Sequence, residues 1–195
     1  MGSPSLKITY KNAVLFSHLF MQNLICQGDT VLDATCGNGN DTLFLADLVG
    51  DTGKVYAFDI QLVAINNTKE KLLNNLVAER VKLIHDTHES IDYYIDDQLD
   101  GAMFNLGYLP NTDTDLITLP SSTLSAIQKT LILLKEGGLI TIVFYTGHFG
   151  GLKELEVVEA NLSSLDQNEW VVSHHKFINQ INHPPQLITI QRIRR

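Results

Sequence analysis

Cysteine and long apolar runs are scarce in this sequence. Its 195 residues include only Cys26 and Cys36, whose spacing fits neither a zinc site nor a redox motif. No apolar stretch approaches the roughly 20 residues that span a bilayer, and the first residues lack the apolar region of a secretory signal. His174, His175 and His183 have no acidic partner at ligand spacing. We therefore expect a cytoplasmic protein without a metal site.

Positive charge is also scarce. The chain has 14 Lys and Arg against 22 Asp and Glu, a net charge of −8. Such a chain does not coat nucleic acid by bulk electrostatics, so an RNA substrate would touch only a small part of it. Repeats, linkers and low-complexity segments are missing as well. We expect a single domain over residues 1–195, in which residues 1–28 form an N-terminal helical extension.

The segment 30–41, TVLDATCGNGND, is the feature around which the chain is organised. A short apolar run ends in Asp33, a glycine-rich turn with Gly37 and Gly39 follows, and a helical pattern starts at Asp41. This order is typical of the first strand–helix unit of a parallel sheet that holds a nucleotide-like cofactor.

Strand and helix patterns alternate along the rest of the chain. Periodicity predicts helices over 13–25, 41–49, 61–76, 92–97, 121–134 and 152–165, and strands over 31–34, 54–59, 81–85, 101–105, 139–145, 169–178 and 186–193. Gly137 and Gly138 are predicted to cap the fifth helix. The pattern predicts an α/β fold of the three-layer, doubly wound, Rossmann-like type. Its seven-stranded sheet is mostly parallel and ends in a C-terminal antiparallel hairpin. The helix over 13–25 is expected to pack on this sheet.

Polar residues stand at the predicted ends of the five parallel strands: Asp33, Asp59, Asp86, Asn105 and Thr146. The carboxyl ends of parallel strands meet at one edge of a sheet, where ligands bind. We expect these five side chains to lie there.

The residues of the turn narrow the choice of cofactor. A dinucleotide motif would have a third glycine where Thr42 stands. Asp33 and Asp41 flank a turn without basic residues, and two carboxylates would repel a pyrophosphate. They suit S-adenosylmethionine, which carries a sulfonium and an ammonium and no phosphate. Asp33 can hold the ammonium, and Gly37 and Gly39 let the backbone approach the methionyl part.

The ends of the second and third strands suit the rest of that cofactor. Asp59 lies 20 residues after Gly39, where a carboxylate takes both ribose hydroxyls, and Gln61 can reach ribose or adenine. Asp86, Thr87 and His88 can meet the adenine edge. Each of these polar residues also has an ordinary interpretation, as a solvated side chain or a helix cap.

Strand four ends in Asn105-Leu106-Gly107-Tyr108, which is similar to the (Asp/Asn)-Pro-Pro-(Tyr/Phe) signature of amino-group methyltransferases. The Asn105 carbonyl can accept a hydrogen of an attacking amine and aim its lone pair, and Tyr108 can stack on a base. Both prolines of the signature are absent. His148 is a candidate base for an aliphatic amine, or else a loop histidine without chemistry.

Several stretches together resemble one family: DATCGNGNDTLFLA, GKVYAFDIQ, LIHDTHE, FNLGYLP, LLKEGGLI, YTGHFGG and FINQINHPP. They look like the small bacterial proteins labelled rRNA methylases, which are class I S-adenosylmethionine-dependent methyltransferases. The family methylates the amine of 5-aminomethyl-2-thiouridine at the tRNA wobble position. The resemblance implies cofactor contacts at Asn38, Asn40, Asp41, Asp59, Gln61, Thr87 and His88.

The resemblance also implies that residues 105–108 border the substrate amine. The loops around His148 and over 179–185 would form the surface for the tRNA anticodon loop. Together with an exposed apolar N-terminal helix, the resemblance predicts a homodimer.

Other functions stay open on the residues alone. The same fold serves methyltransferases of rRNA bases and of small-molecule amines, and a non-enzymatic cofactor-binding module is a further alternative. A nicotinamide oxidoreductase is disfavoured by Thr42 and by the carboxylates around the turn.

Overall fold

A computed structural model describes residues 12–107, 120–147 and 150–194. The helices are α1 Ala13–Leu24, α2 Asn40–Val49, α3 Leu62–Asn74, α4 Ile91–Tyr94, α5 Pro120–Leu133 and α6 Gly151–Leu162. The strands are β1 Thr30–Asp33, β2 Lys54–Asp59, β3 Val81–His85, β4 Leu99–Leu106, β5 Leu134–Phe144, β6 Trp170–His175 and β7 Gln186–Arg192. Within these ranges no helix is long and apolar enough to cross a membrane.

The strands form a single seven-stranded sheet in the order β3-β2-β1-β4-β5-β7-β6. Strands β1 to β5 pair in parallel, whereas β7 runs antiparallel to both β5 and β6. The predicted fold class and its C-terminal antiparallel hairpin are therefore confirmed. Because β1 to β5 are parallel, their carboxyl ends lie at one edge of the sheet.

Two apolar cores cover the two faces of this sheet. Alternate residues of the central strands point to opposite faces: Val31 and Val55 pack with α1, α2 and α3, whereas Leu32 and Phe58 pack with α4, α5 and α6. The helices on the two faces and the sheet between them form three layers.

Helix α1 is part of the fold. Ala13, Ser17 and Met21 are fully buried, and Met21 packs in the same core as Val31. The prediction that this helix packs on the sheet is confirmed, and the apolar face on which the homodimer prediction also rested is therefore covered. Leu15 is the large apolar residue of α1 that stays exposed, at 47%.

Gly137 and Gly138 do not cap a helix, contrary to the prediction. Helix α5 ends at Leu133, and β5 begins with the next residue. The register between β4 and β5 shifts there, and Gly137 has a φ of +81°, which favours glycine. The glycines therefore serve an irregularity inside a strand.

The hairpin strands are shorter than predicted. Strand β6 ends at His175, three residues before the predicted end at 178, and the connection to β7 spans residues 176–185. Asn182 and His183 have φ values of +66° and +49°. These left-handed residues turn the chain back toward β7 instead of continuing a strand.

Candidate functional site

The turn between β1 and α2 is shaped by its glycines and by α3. Gly37 and Gly39 have φ values of +50° and +74°. A Cβ on Gly39 would lie 2.9–3.0 Å from atoms of Thr68 in α3. The sequence reasoning assigned both glycines to close approach of the cofactor. The structure adds that Gly39 is needed for helix packing behind the turn.

Asp59 links the end of β2 to this turn. Its Oδ2 accepts a hydrogen bond from the Gly37 N–H, and its Oδ1 accepts one from the Gln61 N–H, each at 2.9 Å. Burial raises the pKa of this half-buried carboxyl above its usual range. The two backbone donors fix the plane of the carboxylate and leave each oxygen with further lone pairs.

Asp33 is more deeply buried than the sequence suggested. The side chain is 1% exposed, its Oδ2 accepts the Thr42 hydroxyl at 2.5 Å, and its Oδ1 accepts the Thr35 N–H at 3.1 Å. Burial, and next the charge of Asp41, raise its pKa to about 7. Asp33 therefore holds the turn from beneath. Thr42, noticed in the sequence only as a missing glycine, is its hydroxyl donor.

Asn38 and Asn40 lie exposed on the turn and face α3. Asn67 donates to the Asn38 side-chain oxygen at 3.1 Å, and the Lys71 ammonium donates to the Asn40 side-chain oxygen. The sequence shows no basic residue in the turn itself, but the fold brings Lys71 to its rim. The two asparagines are thus held in place by α3.

Asp86, Thr87 and His88 follow β3. Asp86 accepts hydrogen bonds from the Thr87 N–H at 2.7 Å and from the Tyr94 hydroxyl at 3.0 Å, which lower its pKa. Thr87 caps the 3₁₀ turn His88–Ser90 by accepting the Glu89 N–H. The His88 ring is 8% exposed, and burial lowers its pKa. Its Nε2 is buried without a hydrogen-bond partner among the described residues.

Asn105, near the end of β4, is held from two sides. Its backbone N–H donates to the Thr35 hydroxyl at 2.8 Å, and its side-chain Nδ2 donates to Asp41 Oδ2 at 3.0 Å. Asp41 Oδ1 lies 2.6 Å from His18 Nε2. Tyr145, at the end of β5, is half-buried, and burial together with the charge of Asp41 raises its pKa. The structure therefore brings Asn105 and Asp41 together, which the sequence treated as parts of different sites.

His18 is the site residue that the sequence reasoning missed. It lies in α1, 23 residues before Asp41, and no motif marks it. Its ring stacks on Phe44 of α2 with centroids 4.0 Å apart and an interplanar angle of 5°. The sequence does contain one signal: Asp41 and Phe44 are three residues apart in a helix, so both lie on the side of α2 that faces α1.

Tyr108 and His148 lie outside the described residues, so their predicted roles stay predictions. Thr146, two residues before His148, contacts the 176–185 segment. The Thr146 hydroxyl lies 3.4 Å from the His183 carbonyl oxygen and 3.3 Å from that of Pro184. A surface pocket of about 580 Å³ lies over this segment, between Lys176 and Gln186.

Comparison with known proteins places the chain among methyltransferases. A family model described as "Putative rRNA methylase" matches residues 55–191. The chloroplastic tRNA (mnm(5)s(2)U34)-methyltransferase of Arabidopsis thaliana is 42% identical over 87% of this chain. The chain spans 66% of that relative's length.

Two solved structures share the whole fold. A protein of Clostridium thermocellum, described as a putative rRNA methylase, superposes with a TM-score of 0.92 at 48% identity, covering 95% of this chain and 100% of the other. A protein of Streptococcus mutans, described as a putative methyltransferase and solved in complex with S-adenosylhomocysteine (SAH), gives a TM-score of 0.87 at 39% identity over 95% and 100% of the two chains.

Proposed function

The chain belongs to the family described as "Putative rRNA methylase", and we propose that it is an S-adenosylmethionine-dependent N-methyltransferase acting on tRNA. It converts 5-aminomethyl-2-thiouridine at the wobble position to 5-methylaminomethyl-2-thiouridine. The orientation of Asn105 is the observation that supports amine methylation. Its side-chain NH₂ donates to Asp41, and its side-chain oxygen, at the carboxyl edge of the sheet, has no hydrogen-bond partner among the described residues. The Arabidopsis relative supports the choice of nucleoside.

The residues at the ends of β1, β2 and β3 fit the cofactor. Asp59 presents a carboxylate whose plane is fixed by two backbone donors, and it is suited to accept from both hydroxyls of a ribose. Asp33 keeps its proposed part beneath the turn, because a nearby cationic group favours the ionised form of a carboxyl whose pKa burial has raised to about 7. The unpartnered Nε2 of buried His88 can meet a polar atom of adenine. The proposed contacts to the cofactor also include Asn38, Asn40, Gln61, Asp86 and Thr87.

When bound, S-adenosylmethionine would supply a methyl group whose carbon bonds to a nucleophile while the bond from that carbon to the sulfonium sulfur breaks and its electron pair stays on sulfur. The aminomethyl group releases one proton and reacts as –NH₂. The methylated nitrogen then carries the positive charge that the sulfonium loses. The Asn105 oxygen accepts a hydrogen bond from the amine and thereby directs the lone pair of the amine nitrogen. Because the amide is neutral, it does not take up the proton. Tyr108 and His148 keep their proposed parts as stacking residue and base.

The RNA partner is the anticodon loop. A chain of net charge −8 favours a small footprint, and single-stranded loops are bound by stacking and a few polar contacts. Ile178 and Ile181 in the 176–185 segment are 97% and 82% exposed and lie beside Lys176. This segment is the surface on which we expect the loop to rest.

Methyl transfer from labelled cofactor to three acceptor pools tests this function. The pools are tRNA that carries unmethylated 5-aminomethyl-2-thiouridine, bulk rRNA, and deproteinised small metabolites. We expect label in the tRNA alone, in a nucleoside one methyl heavier. Transfer to rRNA would favour the second candidate, an rRNA base methyltransferase, which the family's description suggests. Transfer to small metabolites alone would overturn both.

Two further expectations stand beside the proposal. The homodimer stays a prediction, and it no longer has the support of an exposed helix face, because α1 covers the sheet. Light scattering of the purified protein decides it. The cytoplasmic location also stays a prediction.

A further inference from the structure

The His18 side chain of α1 is fixed by two contacts. Its ring lies parallel to Phe44 at 4.0 Å, and its Nε2 lies 2.6 Å from Asp41 Oδ1. The side chains of His18 and Asp41 are only 22% and 7% exposed. A short contact in a largely buried place is ordered more strongly than a surface ion pair.

Asp41 in turn decides which way the Asn105 amide faces. An ionised carboxylate only accepts hydrogen bonds, so the group 3.0 Å from Asp41 Oδ2 has to be the Asn105 NH₂. The Thr35 hydroxyl also holds the backbone of Asn105. The amide is therefore held against rotation by 180°, and its oxygen points away from Asp41.

This arrangement satisfies the Asn105 NH₂ but not the side-chain oxygen of Asn105. It is buried, and it has no hydrogen-bond partner among the described residues. A buried acceptor without a donor raises the free energy of the chain, and a donor that reaches it recovers this cost. An amine hydrogen is such a donor. A flipped amide would present NH₂ to the amine instead, and the nitrogen lone pair would then point at Asn105 instead of the methyl group.

We propose that His18 and Asp41 are positioning residues that lock the Asn105 amide with its oxygen toward the substrate amine. This inference rests on the proposed amine methylation, and it assigns Asp41 a different task from the cofactor contact implied by the family resemblance. Both oxygens of Asp41 already have partners, His18 and Asn105. The N-terminal helix is thereby part of the acceptor site.

Two substitutions at His18 separate positioning from packing. His18→Gln keeps a side-chain N–H donor for Asp41 and loses the ring. His18→Phe keeps a ring on Phe44 and loses the donor. If the role is positioning, kcat falls about tenfold in His18→Phe and less than threefold in His18→Gln, because a hydrogen bond to a charged group is worth roughly one factor of ten or more. If the role is packing, Phe equals or exceeds Gln, and the proposal is overturned.

Asp41→Asn tests the second link. The new amide can turn its NH₂ toward Asn105 and permit the flipped orientation. We expect kcat to fall about tenfold to a hundredfold, while the Kd for SAH in calorimetry changes less than threefold. If the Kd for SAH weakens as much as kcat falls, Asp41 is a cofactor contact and the proposal is wrong. Thermal melting of each variant confirms that it folds.

A readout independent of turnover is the side-chain amide of Asn105 in NMR, assigned by its loss in Asn105→Gln. We expect its two protons to be well separated in the wild type and to move together in Asp41→Asn and His18→Phe, but not in His18→Gln. Unchanged signals in Asp41→Asn would overturn the inference. If the wild type methylates no RNA, the proposed function fails, and these signals still decide whether His18 and Asp41 orient Asn105.

Discussion

Two parts of the same sheet edge differ in how completely their side-chain oxygens are satisfied. The donor edge comprises the ends of β1, β2 and β3. Its carboxylates Asp33, Asp59 and Asp86 each accept two hydrogen bonds from neighbouring groups. The acceptor edge comprises the ends of β4 and β5 and the 176–185 segment. It contains the unpartnered Asn105 oxygen and the exposed Ile178 and Ile181.

The difference indicates two kinds of binding. The carboxylates of the donor edge are preorganised, so a ligand meets oxygens that are already oriented, although the buried Nε2 of His88 there still lacks a partner among the described residues. The acceptor edge has groups that gain partners only when a ligand arrives, since a buried acceptor and exposed apolar side chains are both unfavourable alone. Substitutions at the donor edge should therefore change cofactor affinity, and those at the acceptor edge should change turnover or RNA affinity.

The largest expected effect is that of Asp59→Ala on cofactor binding. Removing this carboxylate deletes the proposed ribose contacts and also the acceptor for the Gly37 and Gln61 N–H groups. Hydrogen bonds to a charged group are worth roughly 1.5–3 kcal/mol each, so the loss should exceed about a hundredfold. Calorimetry with SAH measures it.

Asp97→Ala is the matched control, because Asp97 pairs with Lys54 and Tyr56 at the opposite edge of the sheet. Its SAH affinity should equal that of the wild type. An unchanged affinity in Asp59→Ala would show that the ribose assignment is wrong.

Asn105→Ala should leave the Kd for SAH within about threefold and lower kcat roughly a hundredfold, the usual scale for losing a group that acts on the reacting atoms. Single-turnover transfer to tRNA measures the rate. Equal turnover in the variant would contradict the separation of the two edges, as would a parallel loss of SAH affinity.

Gly39→Ala should lower the free energy of unfolding by roughly 3 kcal/mol, since the new methyl group meets Thr68 and alanine disfavours this φ. Gly150→Ala is the control: its φ is +84°, but no atom of the described residues lies within 4 Å of the added Cβ. Urea denaturation should rank Gly39→Ala well below Gly150→Ala. Equal losses would mean that contact with Thr68 adds nothing.

Stability should also depend on the protonation of Asp33. Burial, with the charge of Asp41, raises its pKa in the folded chain from 3.8 to about 7, so the folded state holds a proton that the unfolded state releases. This contribution is present below pH 4 and is lost as pH rises from about 4 to 7. Relative to Asp33→Asn, the wild type should lose roughly 3 kcal/mol over that range. Parallel pH curves for the two proteins would contradict the assignment.

The smallest expected effect is at the RNA surface. Ile181→Glu replaces an exposed apolar side chain with a negative charge near phosphates and should weaken tRNA binding about fivefold, with the Kd for SAH unchanged. Ile132→Glu on α5, where Ile132 is 78% exposed, introduces the same charge elsewhere and is the control. Equal weakening in both variants would move the RNA surface away from the 176–185 segment.

The donor edge could be predicted from the sequence because its signals are local. A polar residue at the end of an apolar strand falls at the sheet edge whatever surrounds it, and Asp33, Asp59 and Asp86 all do so. The fold class followed from the same alternation of strands and helices. The confirmed family membership came from longer stretches, such as FNLGYLP and FINQINHPP, which no periodicity explains.

The remaining features depend on contacts between distant parts of the chain. His18 reaches Asp41 only because α1 packs beside α2, and Lys71 reaches Asn40 only because α3 lies behind the turn. Gly137 resembled a helix cap because the sequence does not reveal a register shift with β4. Burial of Asp33 has the same origin, since it depends on the layers around β1.

Mass spectrometry of tRNA nucleosides from a strain that lacks the gene tests the central claim most directly. We expect 5-aminomethyl-2-thiouridine to accumulate and 5-methylaminomethyl-2-thiouridine to disappear. The wild-type gene should restore the methylated nucleoside, and an Asn105→Ala gene should not. An unchanged nucleoside profile in the deletion strain would contradict the account.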